Sequence, residues 1–216
     1  MSEQARRLWL VRHAQPLIDK GICYGHLDVP ADHEATQQAA QSFANTLKIA
    51  RSNNATSLNT QPILIYVSGL LRAQQLADEM LFAFRATDIV SEVRLQTDCR
   101  LNEMNFGSWE GKPWSAIPKE ALDQWSSDFS QHKFGGEESS QDVINRVQAA
   151  YQTSLELAQA SNSSDVIWIT HAGVIRALNY VKKYATCVIE RAEQWPQDAP
   201  GFGQWLCMDL TAITTK

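Results

Sequence analysis

The chain is poor in cysteine, with four in 216 residues, at positions 23, 99, 187 and 207. None of them forms a CxxC pair or another close metal-ligand spacing, so they read as reduced thiols of a cytosolic protein. No apolar run approaches about 18 residues, and nothing is expected to span a membrane. Residues 1–7 (MSEQARR) lack a hydrophobic region, so export is not expected. A basic excess is also missing. The net charge of −5 argues against nucleic acid or an anionic membrane as a general partner, because both reward basic surfaces. Any arginines that meet a phosphate must then be concentrated in one site. There is no internal repeat, low-complexity tract or linker, and one domain over residues 1–216 is expected. No G-x-S-x-G or P-loop occurs, and Gly201-Phe202-Gly203 lacks the third glycine of a dinucleotide fingerprint. No Asp/His cluster suggests a metal, and no cofactor is implied.

What the chain does have is one short phrase used twice. Leu8-Trp9-Leu10-Val11 is an apolar run that ends in Arg12-His13, and Val166-Ile167-Trp168-Ile169-Thr170 ends in His171-Ala172-Gly173. Both read as buried strands of a parallel sheet, whose carboxyl ends open on the crevice where such sheets bind ligands. Only five histidines are present, and two stand in this context. His33 and His132 lie among polar neighbours and read as surface residues.

The chain in order gives a strand at 8–12, an ordered loop at 14–31, and a helix at about 33–50 capped by Asp32. After a polar loop at 51–61, Pro62 opens a buried strand, Ile63–Val67, and a helix begins near Leu70. Arg72 stands in its first turn, where the helix end is already positive, so it reads either as a plain surface arginine or as a pointer to an anion. Residues 93–97 read as an edge-like alternating strand. Residues 99–140 form a lid-like excursion over the active face, with Glu103 and Glu110 as the only acids of its shaped loop 101–111 and a helix at 118–130. A long helix starts at Ser139 or Asp142 and runs to about 160, and another covers about 173–184. Residues 187–191 and 204–210 read as closing strands. This alternation implies an α/β fold, a three-layer α/β/α sandwich on a mostly parallel sheet. Trp9 and Trp168 belong to its core, while Trp109 and Trp114 either stack on a substrate ring or pack the lid.

Gathered at neighbouring strand ends, Arg12, His13, Arg72 and His171 make a dianion pocket with a nucleophile inside it. Guanidinium forks match phosphate oxygens, and phosphoryl transfer asks for little beyond in-line positioning and charge neutralisation. Nearby arginines keep His13 neutral, the form able to attack phosphorus. Glu103 is the best candidate to protonate the leaving alkoxide and then activate water. Its alternative is a loop carboxylate capping a backbone amide.

These residues, with Ser68-Gly69-Leu70-Leu71-Arg72-Ala73, Leu101-Asn102-Glu103, Phe106-Gly107, Trp109-Glu110-Gly111, Gly135-Gly136-Glu137 and Thr170-His171-Ala172-Gly173, resemble the histidine phosphatase superfamily. The resemblance covers nearly the whole chain. It implies a phosphoglycerate mutase-like fold, His13 as the phosphorylated nucleophile, and Arg12, Arg72 and His171 as phosphate ligands. It also implies Glu103 as proton donor, and Gln15, Tyr24, Gly25, Trp109 and Ala172 as substrate contacts. The partner would be a small phosphorylated metabolite, and the oligomeric state stays open, a homodimer included. Within the superfamily, residues 23–30 and 106–111 look most like the branch that removes the 5′-phosphate of α-ribazole in cobalamin assembly. Ala14 stands where the superfamily has Gly and would be strained only if φ were positive there. Gln15 replaces a common acid, and His26 stands where Arg is frequent. Two rivals share these residues: a phosphoglycerate-type mutase, and a scaffold that binds a phosphorylated partner without turnover.

Overall fold

The computed structural model describes residues 5–52, 61–87, 89, 92–184 and 188–213. Five strands form one sheet: β1 (Arg7–Arg12), β2 (Ile63–Val67), β3 (Val93–Thr97), β4 (Asp165–Thr170) and β5 (Trp205–Asp209). Their order is β3-β2-β4-β1-β5. All neighbours pair in parallel except β1 with β5. The apolar runs become strands because their side chains divide between two buried faces. Leu8, Leu10, Leu64, Tyr66, Val166 and Trp168 enter one core, while Trp9, Val11, Ile63, Ile65, Ile167 and Ile169 enter the other.

Helices α1 (His33–Ser52) and α2 (Leu71–Ala86) cover the second face, and α4 (Ser140–Ala160) and α5 (Ala172–Tyr184) cover the first. This gives the three-layer α/β/α arrangement expected from the alternation. The short α3 (Lys119–Ser127) lies in the excursion between β3 and α4. Asp32 accepts from the Ala35 amide and starts α1. Ser139 and Asp142 form a reciprocal capping box on α4. β3 is a sheet edge, as its sequence suggested, and four of its five residues are exposed. Trp9 and Trp168 are core residues, at 5% and 0% exposure. No helix among the described residues is long and apolar enough to cross a membrane.

Two expectations need correction. Residues 188–191 are not a strand, and residue 187 lies outside the described residues. Ile189 is fully buried beside α4 and α5, and its amide donates to Gln141 Oε1 rather than to a neighbouring strand. A short apolar stretch serves a helix-side core as well as a sheet, and periodicity does not separate the two. The helix expected over 118–130 ends at Ser127, so Phe129 packs from a turn beyond it. Most of the polar loop 51–61 also lies outside the described residues.

The connections set the site. β1 leads into α1 on one face of the sheet, and β4 leads into α5 on the other. The gap between the carboxyl ends of these adjacent strands is therefore the topological switch point. His13 and His171 are the first residues beyond those two ends.

Candidate active site

The two imidazoles sit side by side, with ring centroids 4.9 Å apart. His13 is 2% exposed and His171 is wholly buried. The backbone of His13 continues the ladder, its amide donating to Thr170 O at 3.0 Å. Its Nδ1–H donates to Ala14 O at 2.7 Å, which leaves Nε2 with the lone pair. Burial, then the Arg72 charge and more weakly Arg12, push the His13 pKa down to about 3, against a partial offset from the Ala14 carbonyl. The ring is therefore neutral across the physiological range. Burial likewise holds His171 well below the usual imidazole value, assisted by His13, Arg72, Arg146 and Arg12.

The arginines are held by neutral groups. Arg12 donates from Nη1 to Pro200 O at 3.0 Å, and its guanidinium lies 3.9 Å over the Phe202 ring. Arg72, wholly buried, donates to Leu27 O at 3.0 Å and Gly25 O at 2.6 Å, with the Tyr24 ring 5.4 Å away. Three nitrogens of this cluster are buried without a partner: Arg12 Nε, Arg72 Nε and His171 Nδ1. Buried polar atoms in folded proteins are nearly always satisfied, so two unpartnered guanidinium N–H groups beside paired imidazoles describe a receptor for an acceptor-rich group.

Glu103 closes the cluster from the excursion. Its carboxylate accepts from the amides of Met104 (3.0 Å) and Gly173 (3.1 Å). The amide-capping alternative is thus realised, and it is what aims the group at the amino end of α5. A Cβ on Gly173 would collide with Glu103 Oε1, so only glycine lets the carboxylate approach. Arg146 supports this loop from α4. It pairs with Glu138 at 2.7 Å and donates to the carbonyls of Arg100 (2.6 Å) and Asn102 (2.7 Å), just ahead of Glu103.

The expected substrate contacts divide. Tyr24 faces Arg72, and Ala172 is the buried first residue of α5. Gly25 works through its backbone, the carbonyl on Arg72 and the amide on Glu110, and a Cβ there would meet Met104 O. Trp109 is half-buried with its ring against Phe134, 5.9 Å between centroids, within the apolar cluster under the excursion. Trp114 stacks on the same Phe134. Gln15 is exposed and lines a cavity of about 430 Å³ together with Ala14, Gln38 and Ser42 of α1, and Phe202. Ala14 carries no strain, because Asn162 is the only described non-glycine residue with positive φ, at 53°. His33 is exposed, while His132 is half-buried.

Sequence reasoning missed three contributors. Glu110 accepts from four amides, those of Gly25, His26, Leu27 and Phe106, at 2.8 to 3.0 Å. It locks the loop whose carbonyls hold Arg72, and its one signal was being an acid in a loop with only two. Phe202 packs against both Arg12 and the His13 ring, 5.4 Å between centroids. Ser68 lies 2.8 Å from His171 Nε2 and 2.9 Å from Asn102 Oδ1.

An open α/β sheet with paired imidazoles and unmatched guanidiniums at its switch point defines a class, the histidine-based handlers of phosphate esters. The histidine phosphatase superfamily (branch 1) matches residues 8–196, and the chain belongs to that superfamily. Membership makes it an enzyme of the phosphatase kind. The chain is 29% identical over 177 residues to "Putative phosphoserine phosphatase 2" of Hydrogenobacter thermophilus, covering 80% of this chain and 76% of that protein. Among solved structures, a mycobacterial glucosyl-3-phosphoglycerate phosphatase superposes with a TM-score of 0.69 at 21% identity, over 94% of this chain and 90% of that one. A "putative alpha-ribazole-5'-P phosphatase" from Escherichia coli K-12 gives 0.65 at 20% identity, over 97% and 93%.

Proposed function

We propose that the chain is a phosphomonoesterase that hydrolyses a small phosphorylated metabolite through a phosphohistidine, without a metal. The carrying observation is the set of orphaned nitrogens on Arg12, Arg72 and His171 around a neutral imidazole whose Nε2 is its lone-pair face. The Nε–H groups of Arg12 and Arg72, and His171 Nδ1 once it carries a proton, take the non-bridging oxygens of the phosphoryl group. His13 Nε2 attacks phosphorus in line, a P–N bond forms, and the P–O ester bond breaks. The Glu103 carboxyl gives its proton to the departing alkoxide. The resulting carboxylate then takes a proton from water, and the oxygen of that water attacks phosphorus as the P–N bond breaks. Phosphate leaves and neutral His13 returns. Arg12 and Arg72 stabilise the equatorial charge in both steps.

The proposed substrate class is a phosphomonoester of a small alcohol. The 23–30 and 106–111 segments favour α-ribazole 5′-phosphate within it, and the relatives' names add phosphoserine and glucosyl-3-phosphoglycerate to the screen. Turnover of p-nitrophenyl phosphate with a chelator present, together with acid-labile phosphate trapped on the enzyme, is the expected result. Binding of phosphate without turnover would mark a scaffold, and a requirement for a bisphosphorylated primer would mark a mutase. Glu103→Gln is expected to slow alkyl phosphates far more than the nitrophenyl ester, whose leaving group needs no proton. Equal losses on both would remove Glu103 from the acid's role.

A further inference from the structure

The hydrogen bonds around Ser68 allow one placement of protons. The Gly69 amide donates to Asn102 Oδ1 at 2.7 Å, which fixes that carboxamide with its oxygen toward Ser68. Ser68 Oγ lies 2.9 Å from the same oxygen. A carboxamide oxygen only accepts, so the single hydroxyl proton of Ser68 goes to Asn102. The Leu70 amide donates to one lone pair of Ser68 Oγ at 3.2 Å. The other lone pair faces His171 Nε2 at 2.8 Å, and with the hydroxyl proton already committed, Nε2 must be the donor. A neutral His171 ring then carries its one proton on Nε2. Its Nδ1, at the edge away from Ser68, is a bare lone pair, and it is buried without a partner.

A bare nitrogen facing an anionic oxygen repels it, whereas a protonated one binds it. We infer that Ser68 and Asn102 form a relay that locks His171 as the Nε2–H tautomer, so that a tetrahedral dianion binds only together with a proton delivered to His171 Nδ1. This deepens the phosphatase reading and rests on its anion site. The groups facing His171 agree with it. His13 from the end of β1, Arg12 beside it, Arg72 on α2 and Arg146 on α4 all disfavour a second proton on the empty ring. The Glu103 carboxylate, held on the Gly173 amide, is the neighbouring acid. A bound dianion reverses that balance by placing two negative charges among the cations. His171 thus binds phosphate as an imidazolium that forms on arrival, and Ser68 and Asn102 act as positioning residues through it.

Two measurements test this, and sulfate is the probe because it is tetrahedral and dianionic throughout the neutral range. The first is the long-range ¹H–¹⁵N spectrum of histidine-labelled, ligand-free enzyme, with His171 assigned by its loss in His171→Asn. The Nε2–H pattern is expected, and an Nδ1–H pattern overturns the relay. The second is sulfate affinity against pH. Uptake of one proton makes it fall ~tenfold per pH unit above neutrality. In Asn102→Leu the Ser68 hydroxyl is free to donate to His171 Nε2, the ring becomes Nδ1–H, and the dependence flattens. Glu103→Gln keeps the wild-type slope. A flat wild-type profile, or a slope lost in Glu103→Gln, overturns the inference. If Asn102→Leu does not fold, the wild-type tautomer and slope still decide. Failure of folded wild type to bind sulfate or phosphate at any pH would instead overturn the anion-site reading, while the tautomer continues to report on the relay.

Discussion

Strands β1 and β4 run side by side from Arg7 and Asp165 to Arg12 and Thr170, and the two ends of that pair treat cations in opposite ways. At the amino end, Asp165 is fully buried and accepts from Arg7 (2.8 and 3.0 Å), Arg51 (2.7 Å) and Trp9 Nε1 (2.9 Å). Two guanidiniums close on one carboxylate, with the indole filling a further lone pair. At the carboxyl end, Arg12 and Arg72 spend donors on neutral carbonyls and keep Nε unpartnered. Both ends bury arginine. Only the first closes salt bridges on its guanidiniums, so the first is a fastening, and the second is the receptor we propose.

The comparison can be broken at either end. The largest effect is expected at the receptor: His13→Ala should lower turnover by ~10⁴-fold or more while leaving the unfolding midpoint nearly unchanged, since nucleophile losses are of that order. Steady-state rates alongside a thermal melt check both halves. Next comes the fastening. Asp165→Ala strands the buried Arg51 and should cost about 3–5 kcal/mol in urea denaturation, with kcat of the folded fraction preserved. Should Asp165→Ala lose activity without losing stability, the division between the two ends fails.

Acid comes third. His13 and His171 have folded pKa values below the unfolded one, so the unfolded chain binds more protons as pH falls. Their contribution is present above an unfolded value of about 6.5 and is lost as pH drops toward the folded one, at about 1.4 kcal/mol per pH unit for each histidine. For His13 that window closes at about 3. His13→Asn should flatten the slope of stability between pH 6 and 4, roughly halving the histidine part. The smallest effect is ligand stabilisation. Phosphate at ~100 times its Kd should add about 2.7 kcal/mol to wild type, with most of the gain lost in Arg72→Ala and kept in an amino-end variant such as Arg7→Ala.

The receptor was largely legible in the sequence because it hangs on long-lived signals. An apolar run that stops at Arg12-His13, and another that stops at His171, identify buried strands and their carboxyl ends without knowledge of the partner strand. Arg72 was legible for the opposite reason, a cation at the wrong end of a helix. The fastening was not legible. Arg7 lay outside the strand as read, and Asp165 preceded one. Nothing along the chain says that Arg51, at the end of α1, reaches back to the start of β4. Glu110 and Phe202 were hidden in the same way, since each acts on residues about 85 and 190 positions away. The misread strand at 188–191 marks the same boundary: local pattern gives burial, and only the fold says which neighbour supplies it.

The collar around His13 has an implication for how the enzyme is made. Arg12 and His13 are bonded through their backbones to Gln204 and Gly203, and Arg12 is held by Pro200 and Phe202. The His13 imidazole therefore leaves the ribosome well before the segment that clamps it. A nascent chain carries His13 without this clamp until translation has passed Gln204 and β5 has docked beside β1, so the site closes in one late-coming contact rather than strand by strand.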